Sequence, residues 1–362
     1  MGKIKTITPI HIASGNSYYA VEVRNNYIYS LDYALDLALI NGPTSGYVLN
    51  ELCRQEKSKD EFISLFDVKN LPFDPKKSVG KLDNSSYCIP KGYIQQQIRD
   101  NETVIIPGSS LKGYIMNVLW YDIICKNSKV LSYFTKKMNG TSKNYNLGRD
   151  IENFNAFLGP ILNFIGVRDI PICNKIVYGK VFVEIIEMIP ENSSYDGEIL
   201  IDSKNLRNII EDRKNVLMRR TIEKEKYEQK EIKTILIDEF YKRIVDLKKY
   251  FINANRKFMR KVLSLEYDFV KNPNHRNVNY QSLASLYNDL IKQNETKTII
   301  QIGRYTNFFL KTDGIAFKDN YEKYFYSFFK SFKNQVPKIE NMKLIEVKGV
   351  LTLPLGFMEI EL

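Results

Sequence analysis

The chain has 362 residues, 44% of them hydrophobic, which is enough for a buried core in one elaborated domain or two ordinary ones and excludes a globally disordered chain. Lysine and arginine number 53 against 42 aspartates and glutamates, a formal net charge of +11, and that surplus favours a polyanion, either nucleic acid or an acidic membrane face. The four cysteines (Cys53, Cys88, Cys125, Cys173) are far apart and only His11 and His275 could join them, so neither a metal site nor a cofactor is expected.

In chain order, residues 3–12 (KIKTITPIHI) alternate as a strand. Residues 18–23 (YYAVEV) and 27–30 (YIYS), separated by Arg24-Asn25-Asn26, read as a β-hairpin, and 32–40 as a helix. Strand, hairpin and helix in that order suit an α+β sandwich better than a doubly wound sheet. Residues 56–86 are polar and punctuated, an excursion of loops and short helices. A strand ending at Ile106 runs into Pro107-Gly108, followed by a helix through Cys125 and a polar stretch, 136–150, that is a candidate mobile loop. Residues 164–170 (FIGVRDI), 175–189 and 197–201 read as strands, the second rich in β-branched side chains.

Near residue 203 the composition changes to charged sequence with helical periodicity. Phe240, Ile244, Leu247, Phe251, Ala254, Phe258 and Val262 recur at spacings of three and four and define one helix stripe, with Lys242, Lys249, Arg256 and Arg260 on another side. These cations form a solvated face or a nucleic-acid footprint. Beyond Pro273 come a helix at 281–292, a strand at 298–302, helical segments to about 332, and strands at 342–347 and 358–362. The expected domains are 1–202 and 203–362. Neither a long apolar leader nor an apolar run of about 18 residues is present, and with scattered cysteines this predicts a cytoplasmic protein without membrane contact.

Three segments could carry chemistry. In Ile106–Gly113 (IPGSSLKG), Ser109 or Ser110 can cap a helix whose free N–H groups attract an anion. Lys112 adds a charge in the first turn, and Gly108 permits close approach of a sugar-phosphate backbone. The spacing is not that of a Walker A loop, which disfavours ATP hydrolysis. A plain capped helix start reads equally well. In PIHIASG, His11 is a general acid or base, a base-stacking ring or a packing residue. With one other histidine in the chain, paired-histidine catalysis is disfavoured. In the third, 301–312 (QIGRYTNFFLKT), Gly303, Arg304, aromatics and Lys311 suit RNA contacts, or a joint between a strand and a helix. Asp169 in FIGVRDI is an isolated acid, an N-cap or a salt-bridge partner.

PIHIASG, IPGSSLKG, FIGVRDIPI and IGRYTNFFLKT, in that order, resemble the RAMP superfamily of CRISPR proteins, and within it the fifth-subunit family of the type III-A Csm effector complex. The resemblance implies an α+β fold of tandem ferredoxin-like (RRM-type) modules with helical insertions. It implies a non-catalytic head subunit that binds the 3′ region of the CRISPR RNA (crRNA) and supports its 3′-end maturation. Its partners would be crRNA, the Csm backbone and small subunits, target RNA nearby, and host nucleases that trim the 3′ end. Carried over by position, the RNA contacts are His11, Ser14, Gly15, Gly108, Ser109, Ser110, Lys112, Gly303, Arg304 and Lys311. The chain departs from the pattern at Ala13, Tyr114, Arg168-Asp169-Ile170, Tyr305 and Asn307. The competing expectation is a metal-independent repeat-processing endoribonuclease of the same fold, with His11 as general base.

Overall fold

The computed structural model describes residues 2–41, 68–139, 147–172, 175–201, 206–219, 227–271, 277–304, 316 and 343–361. Its first strand, β1 (Gly2–Thr6), is shorter than the alternation predicts. Pro9 has no N–H to give a ladder, and the amides of Ile7 and Thr8 both turn onto the carbonyl of Phe357, at 2.8 and 3.1 Å. The hairpin forms from β2 (Ala13–Arg24) and β3 (Tyr27–Ser30). Asn25 and Asn26, both at positive φ (51° and 65°), supply the left-handed turn that asparagine tolerates. Helix α1 (Leu31–Asn41) follows. Of the polar excursion, the described part holds two short 3-10 turns and β4 (Gly80–Lys81).

The middle of the chain builds β5 (Gly92–Gln97), β6 (Arg99–Asp100), β7 (Thr103–Ile106), α2 (Gly108–Lys126), α3 (Ser128–Asn139) and α4 (Leu147–Leu162). Helices α3 and α4 therefore occupy both ends of the 136–150 stretch expected to be a loop; 140–146 lie outside the described residues. Two short strands, β8 (Ile165–Val167) and β9 (Ile170–Pro171), replace the single one expected at 164–170. Likewise 175–189 is a hairpin, β10 (Val177–Val181) and β11 (Glu184–Met188), turning at Phe182 with φ 57°. No glycine or proline marks that turn, which is why the run reads as continuous. Strands β12 (Ser194–Gly197) and β13 (Ile199–Ile201) follow.

The charged segment folds as α5 (Leu206–Arg219), α6 (Tyr227–Val245) and α7 (Leu247–Lys271). The predicted apolar stripe is buried throughout, but it belongs to two helices, divided at Asp246. Then come α8 (Tyr280–Thr296), β14 (Ile299–Gln301), β15 (Leu344–Val347), β16 (Val350–Pro354), absent from the expectation, and β17 (Phe357–Ile360). The helical segments expected up to residue 332 lie outside the described residues.

Two sheets dominate, in the orders β12-β1-β17-β14 and β16-β15-β10-β11-β5-β2-β3-β4, giving the α+β class that was expected. Both cross residue 203: β17 pairs with β1, and β15 with β10. The two halves are thus joined by shared ladders, with helical packing added. Tyr114 of α2, one of the departures from the expected pattern, sits edge-on between Phe251 and Phe258 of α7, at 6.4 and 6.0 Å between ring centroids. Its hydroxyl donates to Asn255 Oδ1 at 2.7 Å, and Asn255 Nδ2 donates to the Ile299 carbonyl at 2.8 Å, so a bulky departure has become a joint between the halves. Helix α6 is tied to α2 by a buried ion pair, Arg243 donating through Nε and Nη2 to Asp122 Oδ2 at 3.0 and 2.9 Å. Among the described residues, no helix is long and apolar enough to cross a membrane.

Candidate nucleic-acid interface

At the start of α2 the N-cap is Pro107, with no side-chain cap, in place of the expected Ser109 or Ser110. The cap comes from elsewhere: the N–H of Gly108 donates to Asp169 Oδ1 at 2.7 Å. The anion that this helix end attracts is thus a carboxylate of the chain itself. Gly108 is buried, and a Cβ there would lie 2.0 Å from the carbonyl oxygen of Val167 and 2.7 Å from its carbon. The glycine admits β8 and the turn behind it, not a sugar-phosphate. Arg168, beside Asp169, pairs with Glu198 at 2.8 Å. Of the segment, Ser109 is exposed and Ser110 and Lys112 are half-buried.

Of the remaining candidates, His11, Ser14, Gly15 and Arg304 lie against β5 and β11. His11 is 1% exposed, and its Nδ1–H donates to the Glu187 carbonyl at 2.7 Å, which fixes the tautomer. Its own carbonyl accepts from the Arg304 amide at 2.9 Å. Gly303, at φ 121°, lies so close that a Cβ would meet the His11 oxygen at 2.6 Å. His11, Gly303 and Arg304 are therefore brought together through the backbone, and His11 acts as a strut. Lys311 and His275 lie outside the described residues.

Burial lowers the His11 pKa to about 4 from 6.5. The unfolded chain then binds a proton that the folded chain resists, so His11 favours folding above pH 6.5, and that contribution is lost as pH falls towards 4. In chemical denaturation at pH 7 and pH 4.5, the wild type should lose roughly 2–3 kcal/mol more than His11→Asn, which retains a donor near Glu187 but cannot ionise. Equal losses in both proteins would contradict the buried neutral state.

Behind the strut lies a network on β11. Glu187 is fully buried and accepts from Arg99 Nη2 at 2.8 Å, from the Gln97 amide at 3.1 Å and from the Tyr18 hydroxyl at 3.2 Å. Burial raises its pKa, opposed by Arg99. Gln97 Oε1 in turn accepts from the Ile12 amide at 2.8 Å. These contacts hold the PIHIASG segment against β5 and β11.

Ser14 and Gly15 form a bulge between two stretches of β2 paired to β5, with the register shifting between Ala13 and Ser17. The Ser14 hydroxyl donates to the Gln96 carbonyl at 3.3 Å and accepts from the Asn16 amide at 3.0 Å. Gly15, at φ 86°, faces open space, a conformation and a clearance that suit close backbone approach. Beyond the bulge the pairings Ser17↔Gln95, Tyr19↔Tyr93 and Ile186↔Gln95 place these side chains on one face of the large sheet, with Glu184 two residues before Ile186. Helix α1 covers that face at Val21 and Tyr19. On its far side Arg304 Nη1 donates to Gln95 Oε1 at 3.1 Å, with Nη2 3.9 Å from Glu184. Between them stands Tyr93, 55% exposed, its ring held edge-on against Tyr19 at 4.9 Å.

An exposed aromatic on a sheet face, flanked by an arginine, amides and an open glycine bulge, has the composition of a surface that stacks bases and holds phosphates. Sequence reasoning named Ser14, Gly15 and Arg304, but missed Tyr93 and Gln95. Among the described residues, no group of three histidine, cysteine or acidic side chains is placed to hold a metal ion.

Comparison with solved structures shows a known architecture for the chain as a whole. A chain of the Csm–crRNA–target RNA ternary complex of a type III-A CRISPR-Cas system matches with a TM-score of 0.58 at 18% identity, covering 100% of both chains. Csm5 of T. onnurineus matches with a TM-score of 0.52 at 18% identity, covering 99% of both. The chain has the fold of Csm5. No family model and no curated protein matches its sequence, so the fold persists here without sequence likeness strong enough to be found directly.

Proposed function

We propose that the chain is a non-catalytic, crRNA-binding subunit of a type III-A Csm effector complex, engaging the 3′ region of the crRNA and supporting its 3′-end maturation. The observation that carries this reading is the end-to-end match, over 100% of both chains, to a chain of a complex assembled on crRNA and target RNA. The partners follow: crRNA, the backbone and small Csm subunits, target RNA alongside, and host nucleases that trim the 3′ end, all in the cytoplasm. The net charge of +11 supplies the long-range attraction such a strand needs.

On this reading the RNA runs over the face that carries Tyr93, between α1 and Arg304, with the Ser14–Gly15 bulge against its backbone. Tyr93 stacks a base and Arg304 neutralises a phosphate. Ser109, Ser110 and Lys112 are at most secondary contacts, because Asp169 already occupies the α2 amide end. His11 positions Arg304 from below. A histidine 1% exposed and held neutral by burial is poorly placed to take a proton from a ribose hydroxyl, which favours the scaffold over the endoribonuclease.

Fluorescence anisotropy with a labelled single-stranded RNA tests the site. Tyr93→Ala should weaken binding by about 1–3 kcal/mol with little change in salt dependence. Arg304→Ala should weaken it and reduce the magnitude of the salt slope by about one unit. Wild-type affinity in both variants would remove the sheet face from the RNA path. Cleavage of repeat RNA in EDTA, lost in His11→Asn, would instead establish the enzyme.

A further inference from the structure

Helix α7 carries charge that the sheet face does not use. From Leu247 to Leu265 it contains six cations (Lys248, Lys249, Arg256, Lys257, Arg260 and Lys261) and no acid. Arg256 is half-buried and turned aside, its Nη2 donating to the Thr296 carbonyl at the end of α8 at 3.1 Å. The other five are exposed. Lys249, Asn253, Lys257, Arg260 and Ser264 follow one another at spacings of four and three, so they share one exposed helix face about 22 Å long. Lys261 lies on its flank.

Little on the chain neutralises this face. Lys249 is 3.9 Å from Asp246, and Lys261 rests over the buried Tyr121 ring, 5.4 Å from its centroid. Among the described residues, no carboxylate lies within ion-pairing distance of Lys257 or Arg260. Helix α8 alongside exposes Asp289 and Glu295 against Lys292, so the balance stays positive and calls for a polyanion.

The surroundings select which polyanion. A helix that lies on an acidic membrane needs a free apolar side to insert, but the apolar side of α7 is spent on the core at Phe251, Phe258 and Val262, and none of its large apolar side chains between 247 and 265 is exposed. A single strand is gripped through rings on which its bases stack. Here each neighbouring tyrosine already carries a cation: Tyr121 has Lys261, Tyr250 has Arg243 at 5.8 Å and Tyr267 has Lys271 at 4.2 Å. What remains is a straight row of cations with an amide and a hydroxyl between them. That chemistry suits a duplex, whose phosphates face outwards while its bases are stacked within.

We propose that this face of α7 holds the phosphate backbone of double-stranded RNA, without regard to sequence. The site lies apart from the sheet face and takes a paired strand where that face takes a single one; a guide paired with its target is one such duplex.

Fluorescence anisotropy of the full chain tests this, with a labelled RNA duplex of about 16 base pairs and with one of its strands unpaired, each over a range of salt. Thermal unfolding checks that every variant folds. Lys257→Gln/Arg260→Gln/Lys261→Gln should weaken duplex binding about tenfold or more and reduce the magnitude of its salt slope by about two to three units. The unpaired strand should stay within about threefold of its wild-type affinity. Lys5→Gln/Lys76→Gln/Lys348→Gln removes the same charge from exposed positions elsewhere and should weaken the duplex far less. Tyr93→Ala/Arg304→Ala should show the converse pattern, losing the strand and keeping the duplex. If the α7 variant binds the duplex like wild type or like the Lys5, Lys76 and Lys348 variant, or loses the unpaired strand equally, the duplex site is overturned. The sheet face is judged separately, by the unpaired strand and the Tyr93→Ala/Arg304→Ala protein.

Discussion

Gly108→Ala will destabilise the protein by about 3 kcal/mol or more, the upper end of overpacking costs. Alanine is the better helix former by up to about 1 kcal/mol, so propensity alone predicts the opposite sign. The clash decides the outcome: the new methyl group would lie 2.0 Å from the Val167 carbonyl oxygen and 2.9 Å from the Arg168 carbonyl carbon, and backbone cannot rotate away as a side chain can. Relief requires α2 to move off β8, which breaks the bond from the Gly108 amide to Asp169. Gly113, five residues further along the same helix, is the control. It is exposed and a Cβ there meets nothing within 4 Å, so Gly113→Ala should raise stability by up to about 1 kcal/mol. Urea denaturation of the two variants measures both. A Gly108→Ala protein within about 0.5 kcal/mol of wild type would contradict the packing role.

Asp122→Ala will cost about 3–5 kcal/mol, because it leaves a buried guanidinium without its partner. Arg243 and Asp122 are each 2% exposed, and Asp122 also pairs with Lys126 at 2.7 Å. After the substitution Arg243 keeps Glu239 on its own helix and the Tyr250 ring, 5.8 Å away, and still has to stay in the interior. The double replacement Asp122→Leu/Arg243→Met removes both charges and keeps comparable volume, so it should lie much closer to wild type than Asp122→Ala. The comparison separates the cost of an orphaned charge from the worth of the pair. A double variant as unstable as the single one would show that α2 and α6 depend on the ion pair itself.

The two glycine-bearing motifs illustrate what could be read from the chain. IPGSSLKG has the residue types of an anion-binding helix start, and such a start does exist there. Its anion is Asp169, 61 residues later, in the very motif where an N-cap was one expectation for that acid. No local pattern could couple the two, because the connection runs through three helices. His11 and Gly303 meet through the backbone, a contact that no local pattern announced: the glycine stands at φ 121° against the His11 oxygen, and its partner lies nearly three hundred residues earlier in the chain. Tyr93 left none: GYIQQQ is a short strand, and its exposed face is defined by β2 and β11, paired from opposite sides of it. The helical stripe from Phe240 to Val262 was legible from period alone, whereas its division at Asp246 was not, because neither glycine nor proline interrupts it. The turn at Phe182 was hidden for the same reason.

The central claim is that RNA lies across the sheet face between α1 and Arg304. Photocrosslinking of 4-thiouridine-labelled crRNA in the assembled complex, with the attached peptides identified by mass spectrometry, tests it most directly. The account predicts attachment within residues 92–97, centred on Tyr93, together with contacts around Ser14 and Gly15. Crosslinks at residues 108–113 with none in 92–97 would contradict it and return the RNA to the start of α2.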